Sequence, residues 1–138
     1  MFDDIQLDRQ LQLGVDALAF SKPTAVQALS IPIALKGGDM MVCAETGSGK
    51  TLAYLVPLAQ RILTTEQTRS GGTLALVLVP TRELARQVLK HCRQLLKKSP
   101  LRVEAITGGE EFRYQRAALR KDPEILVATP GRMLEHCK

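Results

Sequence analysis

The sequence predicts an α/β fold in which a parallel sheet is covered by helices on both faces. Four short apolar runs, at residues 40–43, 74–79, 102–107 and 124–129, have the length and composition of strands. The strand-like runs are separated by helix-like segments at 50–63, 82–97 and 110–121. Strands that are almost continuously apolar and that alternate with helices form parallel sheets buried on both faces.

Two helical segments precede the sheet, at Asp8–Leu18 and from Thr24 onward. Thr24 and Gln27 have the spacing of a capping box, in which each side chain pairs with the backbone N–H of the other residue. The Gln27 carboxamide, with a donor and an acceptor in one plane, could instead pair with the edge of adenine. The spacing alone favours the cap, and both interpretations stay open at this point.

The first apolar run leads into a segment with the pattern of a phosphate-binding loop, Ala44-Glu45-Thr46-Gly47-Ser48-Gly49-Lys50-Thr51. Gly47 and Gly49 allow a tight turn that aims backbone N–H groups at phosphate oxygens, and the following helix presents its N-terminus there. Lys50 suits the β- and γ-phosphates, and the Thr51 hydroxyl suits Mg²⁺. Ala44 stands where the pattern has its first glycine. The alternative is a glycine-rich turn that binds nothing.

Basic residues are concentrated in the second half of the chain. Residues 82–121 contain eleven Lys or Arg and four acidic residues, an excess of +7, whereas the whole chain carries +5. Five of these basic residues share one stripe of the helix predicted at 82–97: Arg82, Arg86, Lys90, Arg93 and Lys97. A stripe of this kind is a solvated face more often than a nucleic-acid site, so charge alone leaves both interpretations open.

Composition argues against several other classes of protein. No apolar run approaches the ~18 residues that a membrane-spanning helix requires, and the acidic start Met1-Phe2-Asp3-Asp4 does not resemble a signal peptide. The spacings of Cys43, Cys92 and Cys137 suit neither a disulfide framework nor a zinc knuckle. A soluble intracellular protein is expected, cytoplasmic or, in a eukaryote, possible in the nucleus.

Four segments with turn or phosphate-contact chemistry follow the predicted strands. Ligands of parallel α/β sheets bind beyond the carboxyl ends of the strands, so these segments are expected to share one edge. The segments are the phosphate loop, Pro80-Thr81-Arg82, Gly108-Gly109 and Thr129-Pro130-Gly131-Arg132.

These segments resemble, in the same order, motifs of the DEAD-box RNA helicases of superfamily 2. Ala19-Phe20-Ser21-Lys22-Pro23-Thr24-Ala25-Val26-Gln27 is similar to the Q motif, with Phe2 as its isolated upstream aromatic residue. Residues 44–51 resemble motif I, and residues 80–87 resemble motif Ia. Gly108-Gly109 is similar to the GG doublet, and residues 129–132 are similar to motif Ib. Ala19 and Val26 replace the family's usual glycine and isoleucine.

The resemblance implies an incomplete RecA-like P-loop NTPase that uses ATP and Mg²⁺ and binds the sugar-phosphate backbone of RNA without reading bases. It implies catalytic roles for Lys50 and Thr51, with Thr51 holding Mg²⁺ through ATP. The implied ATP-binding residues are Phe2, Phe20, Lys22, Gln27, Ala44, Glu45, Thr46, Gly47, Ser48, Gly49, Lys50 and Thr51. The implied RNA-binding residues are Pro80, Thr81, Arg82, Gly108, Gly109, Thr129, Pro130, Gly131 and Arg132.

The resemblance also implies a division of the chain. Residues 1–39 correspond to a Q-motif helical prelude, and residues 40–138 to part of the first RecA-like domain, which ends before the Asp-Glu-Ala-Asp motif. No acidic residue is placed to hold Mg²⁺ or to orient an attacking water. We therefore expect an ATP-dependent RNA helicase that is completed by further residues, including a second RecA-like domain as partner. This 138-residue chain alone is expected to be inactive and to fold poorly.

Two alternatives remain on sequence grounds. One is a DNA-acting translocase of superfamily 2, in which a preference for ATP without the Q motif would be usual. The other is a truncated, non-catalytic module that binds nucleotide or RNA. Neither alternative involves a membrane partner.

Overall fold

The computed structural model describes residues 5–18, 22–65 and 71–138, which fall into two compact units. The first unit contains the described residues up to Thr65 together with Gln94–Ser99. The second contains the described residues from 71 to Arg93 together with Pro100–Lys138. The phosphate loop and the described part of the Q motif belong to the first unit, and the other motifs belong to the second.

Helices and strands alternate as expected for the predicted α/β class. The helices are α1 Arg9–Ala17, α2 Ala25–Leu35, α3 Lys50–Thr64, α4 Arg82–Leu95, α5 Phe112–Leu119 and α6 Pro130–Cys137. The strands are β1 Ala75–Leu78, β2 Val103–Ile106 and β3 Ile125–Ala128. Every predicted helix is confirmed, with ends that shift by a few residues, whereas α6 was not predicted. In the part of the chain that the structure describes, no helix has the length and apolarity needed to cross a membrane.

The sheet of the second unit is parallel, with the strand order β1-β3-β2. Val127 of the central strand pairs with Val77 on one side and with Ala105 on the other. All four residues of β3 are buried because this strand has a neighbour on each side, whereas Leu76 and Leu78 of β1 are exposed. Since the strands are parallel, their carboxyl ends lie at one edge, and the segments resembling motif Ia, the GG doublet and motif Ib all begin there.

The prediction of a strand at residues 40–43 is wrong. Met40, Met41 and Val42 are exposed, and Met41 keeps 92% of its accessible surface. The sheet in the described part of the chain consists of β1, β3 and β2 and does not include this run. An extended run becomes a strand only when its backbone groups pair with a neighbouring strand, and apolar composition does not supply that neighbour.

The first unit is a helical layer in which α3 packs against α2 and α1. Its core is formed by Leu11, Val15, Ile31, Leu55 and Val56, which are almost fully buried. The start of α1 is fixed by Asp8, whose carboxylate accepts from the Gln10 N–H at 2.9 Å. This packing holds the N-termini of α2 and α3 within one unit.

Candidate nucleotide and RNA site

The predicted phosphate loop adopts the turn that its glycines allow. Gly47 and Gly49 have φ values of +81° and +91°, in the left-handed region that favours glycine. Gly49 is also the N-cap residue of α3. The Lys50 ammonium folds back over the loop and donates to the Ala44 carbonyl at 2.6 Å. The loop is therefore a closed turn that leads directly into a helix.

The N-terminus of α3 has unpaired donors suited to an anion. The first backbone N–H groups of any α-helix have no acceptor within the helix, and they carry the positive end of its dipole. The N-cap residue Gly49 makes no side-chain hydrogen bond to α3, and the first turn of this helix contains no acidic residue. Backbone N–H groups, the Lys50 ammonium and the Thr51 hydroxyl together make a donor set that fits phosphate oxygens and one ligand of Mg²⁺.

Gln27 forms the predicted capping box of α2. The Thr24 N–H donates to Gln27 Oε1 at 2.9 Å, and the Gln27 N–H donates to Thr24 Oγ1 at 3.4 Å. Gln27 is only 4% exposed, and its Nε2 donates to the Gly49 carbonyl at 3.0 Å. The capping interpretation is confirmed, and adenine recognition stays a prediction.

The contact between Gln27 and Gly49 was not foreseen from the sequence. A Cβ atom at Gly49 would lie 2.5 Å from Gln27 Nε2 and 2.9 Å from Thr24 Oγ1. Glycine is thus required at this position for space as well as for φ. The polar N-terminus of α2 and the end of the phosphate loop form one hydrogen-bonded assembly.

Ser48 is half-buried, and its Oγ donates to the Glu45 carbonyl. The other predicted ATP-binding residues fall into two groups. Lys22, Glu45 and Thr46 are exposed, so each is accessible to a ligand. Phe2 and Phe20 lie outside the described residues, and their predicted roles stay predictions.

The segments resembling motif Ia and the GG doublet are in contact. Thr81 Oγ1 accepts from the Leu84 N–H at 3.1 Å, which caps the start of α4. The exposed Arg82 side chain donates from Nη1 to the Gly108 carbonyl at 3.5 Å. Gly109 has φ +85°, and a Cβ atom there would lie 1.9 Å from Arg82 Nη1. Gly109 therefore provides the space that the Arg82 guanidinium occupies.

The segment resembling motif Ib begins α6. Thr129 is the N-cap residue without a side-chain hydrogen bond, and Pro130 is the first helical residue. Arg132 Nη1 donates to the Glu110 carbonyl at 2.8 Å and to Gln115 Oε1 at 3.2 Å. Arg132 Nε lies 3.5 Å from Glu135 Oε2, an ion pair that is not a hydrogen bond, and this buried N–H has no hydrogen-bond partner among the described residues. Arg132 is thus bonded to two acceptors within the protein, whereas the exposed Arg82 makes one long hydrogen bond, to the Gly108 carbonyl.

Gln115 was not identified by sequence analysis, although it lies at the centre of this region. It is 5% exposed, and its Nε2 donates to the Thr107 carbonyl at 2.6 Å. This bond turns Oε1 toward Arg132 and toward His136 Nε2, which is 3.1 Å away. Because Oε1 is an acceptor, this contact is a hydrogen bond in the histidine tautomer that has its proton on Nε2. A glutamine inside a helix has no sequence pattern that would reveal this network.

His136 is held in a cationic and partly buried setting. Its ring stacks on Phe112 with centroids 4.0 Å apart and an interplanar angle of 3°. Burial, followed by the positive charge of Arg132, lowers the pKa of His136 below its ordinary value of 6.5. The folded environment therefore disfavours the charged form of the ring.

The basic stripe of α4 faces solvent. Arg82, Arg86, Lys90 and Arg93 lie on α4, the predicted fifth member Lys97 lies just beyond its end, and all five are exposed. Two of them form loose ion pairs, Arg86 with Glu110 and Arg93 with Glu104, each at 3.7 Å. Such exposed pairs contribute little to stability. The stripe can be accounted for as a solvated helix face.

Comparisons with known proteins identify the family. The family model described as DEAD/DEAH box helicase matches residues 24–138. The chain is 42% identical over 137 residues to the ATP-dependent RNA helicase SrmB of Escherichia coli (strain K12), covering 99% of this chain and 31% of that protein. It is 42% identical over 135 residues to the probable ATP-dependent RNA helicase DDX27 of Homo sapiens, covering 98% of this chain and 18% of that protein.

A solved structure shows the same fold. A hypothetical ATP-dependent RNA helicase from Sulfolobus tokodaii superposes with a TM-score of 0.81 at 34% identity, covering 94% of this chain and 36% of the solved chain. The chain thus spans about a third or less of the length of these relatives. The resemblance drawn from the motifs is confirmed, as is the α/β fold with a parallel sheet. The chain belongs to the DEAD/DEAH box helicase family.

Proposed function

We propose that this chain binds ATP and contacts RNA as the N-terminal part of an ATP-dependent RNA helicase, which unwinds or remodels RNA. The observation that carries the proposal is the closed loop at Gly47–Lys50, which leads into the uncapped N-terminus of α3 and is bonded to Gln27. Relatives at 42% identity named as ATP-dependent RNA helicases support it. The complete enzyme requires the further residues that these longer relatives contain.

The first role of the chain is to hold phosphate. In this proposal the first-turn N–H groups of α3 bind phosphate oxygens, and Lys50 leaves the Ala44 carbonyl to neutralise β- and γ-phosphate charge. The Thr51 hydroxyl supplies one oxygen ligand, as expected for Mg²⁺, which takes few protein ligands beside phosphates and water. When bound, ATP with Mg²⁺ supplies the bond that is hydrolysed and the divalent charge that offsets the phosphates.

The second role is to select adenine. The Gln27 amide has two N–H donors and two oxygen lone pairs, of which the contacts to Gly49 and Thr24 use one each. One donor and one lone pair remain, the pair that the N7 and N6 edge of adenine requires. The hydrogen-bonding capacity of Gln27 therefore suffices for a cap and for adenine recognition at the same time. Roles in ATP binding for the exposed Lys22, and for Phe2 and Phe20, which lie outside the described residues, rest on the family resemblance.

The third role is to hold RNA by its backbone. The candidates lie after the carboxyl ends of β1, β2 and β3: Pro80, Thr81, Arg82, Gly108, Gly109, Thr129, Pro130 and Gly131. Arg132 lies beside them and is largely buried. An exposed guanidinium, glycine backbone and a helix N-terminus bind phosphate without distinguishing bases. This chemistry favours sequence-independent binding. A second RecA-like domain is the proposed partner for closing the site.

RNA-stimulated ATPase activity of the full-length protein tests this function. Lys50→Ala is expected to lower kcat by about a hundredfold or more, because a preorganised charge at the phosphates is lost. Lys36→Ala is the matched control, since Lys36 is an exposed lysine at the end of α2. Normal turnover by Lys50→Ala would refute the phosphate site. Stimulation by DNA but not by RNA would favour a DNA-acting translocase instead.

A further inference from the structure

We propose that Arg132 is a positioning residue that holds the turn Gly108–Glu110, here called the GG turn, rather than a residue that contacts RNA phosphate. The inference rests on the proposed function, in which the GG turn and Arg82 contact RNA. It changes the role that the family resemblance gives to Arg132, and it adds Gln115 to the RNA site as the residue that orients Arg132.

The first argument is the difference in exposure between two arginines near the same turn. The Arg132 side chain is only 16% exposed, whereas Arg82 is exposed and reaches the turn from outside. Both Arg132 Nη1 donors are used, one by the Glu110 carbonyl and one by Gln115 Oε1. The guanidinium also lies 5.7 Å from the centre of the Phe112 ring. The Arg132 guanidinium is therefore held in place by several neighbours, which suits it to support the GG turn.

The second argument is that Gln115 is connected by hydrogen bonds to both ends of the GG turn, directly at its start and through Arg132 at its end. Its Nε2 holds the carbonyl of Thr107, the residue before the turn. Its Oε1 orients Arg132, which in turn holds the carbonyl of Glu110, the last residue of the turn. Thr107 and Gln115 are both buried. The turn is thus tied at its start and at its end to one buried amide.

The third argument is that the GG turn determines where Arg82 can lie. The position of a Gly109 Cβ atom coincides with the Arg82 guanidinium, at 1.9 Å from Nη1. The Gly108 carbonyl accepts from the same nitrogen. A shift of the turn must therefore displace Arg82. Arg132 acts on RNA through the turn and Arg82, so its effect depends on the shape of its guanidinium more than on its charge.

This distinction predicts different behaviour for a lysine replacement. A phosphate contact requires positive charge, which lysine keeps, whereas the positioning role requires the planar guanidinium, which lies over Phe112, sets Nε beside Glu135 and carries Nη1 to Glu110 and Gln115. Affinity falls as salt rises, and loss of a phosphate contact makes this dependence shallower. The magnitude of the slope of log affinity against log salt decreases by about 0.7 per contact for single strands. Loss of a positioning residue lowers affinity and leaves that slope unchanged.

The test measures RNA affinity of the full-length protein by fluorescence anisotropy over a range of KCl concentrations. We expect Arg132→Lys and Arg132→Gln to raise Kd equally, by about three- to thirtyfold, with the wild-type slope. Gln115→Met should raise Kd by a similar factor. The double variant Gln115→Met with Arg132→Gln should bind RNA no more weakly than either single variant. Arg82→Gln should lower the slope by about 0.7, which checks the proposed function separately. Wild-type affinity in Arg132→Lys together with a lowered slope in Arg132→Gln would overturn the inference.

A second measurement does not require RNA. Glutamate-specific protease cleaves after Glu110 and Glu111, so its local cleavage rate below the melting temperature reports opening of the GG turn. Arg132→Lys and Arg132→Gln should accelerate cleavage there and leave cleavage after Glu124 unchanged. Lys90→Gln, an exposed change on α4, is the control. If the Arg132 variants are cleaved at the wild-type rate, the inference fails, whether or not the protein binds RNA.

Discussion

Replacement of Gly49 by alanine tests the link between the capping box and the phosphate loop. Gly49 has φ +91°, and an added Cβ would lie 2.5 Å from Gln27 Nε2 and 2.9 Å from Thr24 Oγ1. Gly38 is the matched control, because it has φ +95° and its Cβ would meet no atom within 4 Å. The two substitutions share the backbone strain and differ in the clash with the cap.

The expected magnitudes follow from these two terms. A non-glycine residue in the left-handed region costs about 1–2 kcal/mol. Displacement of Thr24 and Gln27 costs a further ~1 kcal/mol, the usual value of an N-cap. Gly49→Ala should therefore lower the local free energy of unfolding by about 2–3 kcal/mol, against about 1–2 kcal/mol for Gly38→Ala.

Hydrogen exchange of peptides from α2 and α3 measures this difference in the full-length protein, because exchange protection reports local opening. Faster exchange at the N-terminus of α2 is expected only in Gly49→Ala, together with weaker ATP binding. Equal protection in the two variants would mean that the loop and the cap are independent, and the structural argument for Gly49 would be wrong.

Three further predictions follow from the same structure. Gln27→Glu keeps an acceptor for Thr24 but replaces the amide donor with a carboxylate oxygen, which also lies against the Gly49 carbonyl. Because the donor for adenine is lost, nucleotide competition assays should show equal use of ATP and GTP. If ATP is still preferred, Gln27 is a cap only. The lowered pKa of His136 means that the unfolded state binds more protons between that pKa and 6.5. Stability should therefore fall as pH drops below about 7, in urea titrations of wild type but less in His136→Gln. Burial raises the pKa of the Cys92 thiol to about 12, so mass spectrometry after alkylation at pH 8 should find Cys43 modified and Cys92 intact until unfolding.

The sequence was sufficient for the features that depend on local chemistry. Apolar runs alternating with helical segments predicted β1, β2 and β3, and the Thr24 and Gln27 spacing predicted a capping box that the structure contains. Each of these features depends on residues close together in the chain.

The sequence was insufficient where distant residues decide the outcome. The run at residues 40–43 has strand composition but no strand neighbour in the described sheet, and pairing is a property of the neighbour. The contacts of Gln115 join the residue after β2, helix α5 and helix α6. No periodicity in a single segment carries that information.

Two glycines, one in each unit, show how motifs that are distant in the sequence come into contact. Gly49 and Gly109 both have positive φ, which by itself explains why each is glycine. In each unit, however, the space that a side chain would need is taken by a polar group from another motif, Gln27 in the first and Arg82 in the second. A larger residue in place of either glycine would displace Gln27 or Arg82, the side chains proposed to contact the ligand. The glycines therefore determine the positions of the proposed adenine and phosphate contacts as well as the path of the backbone.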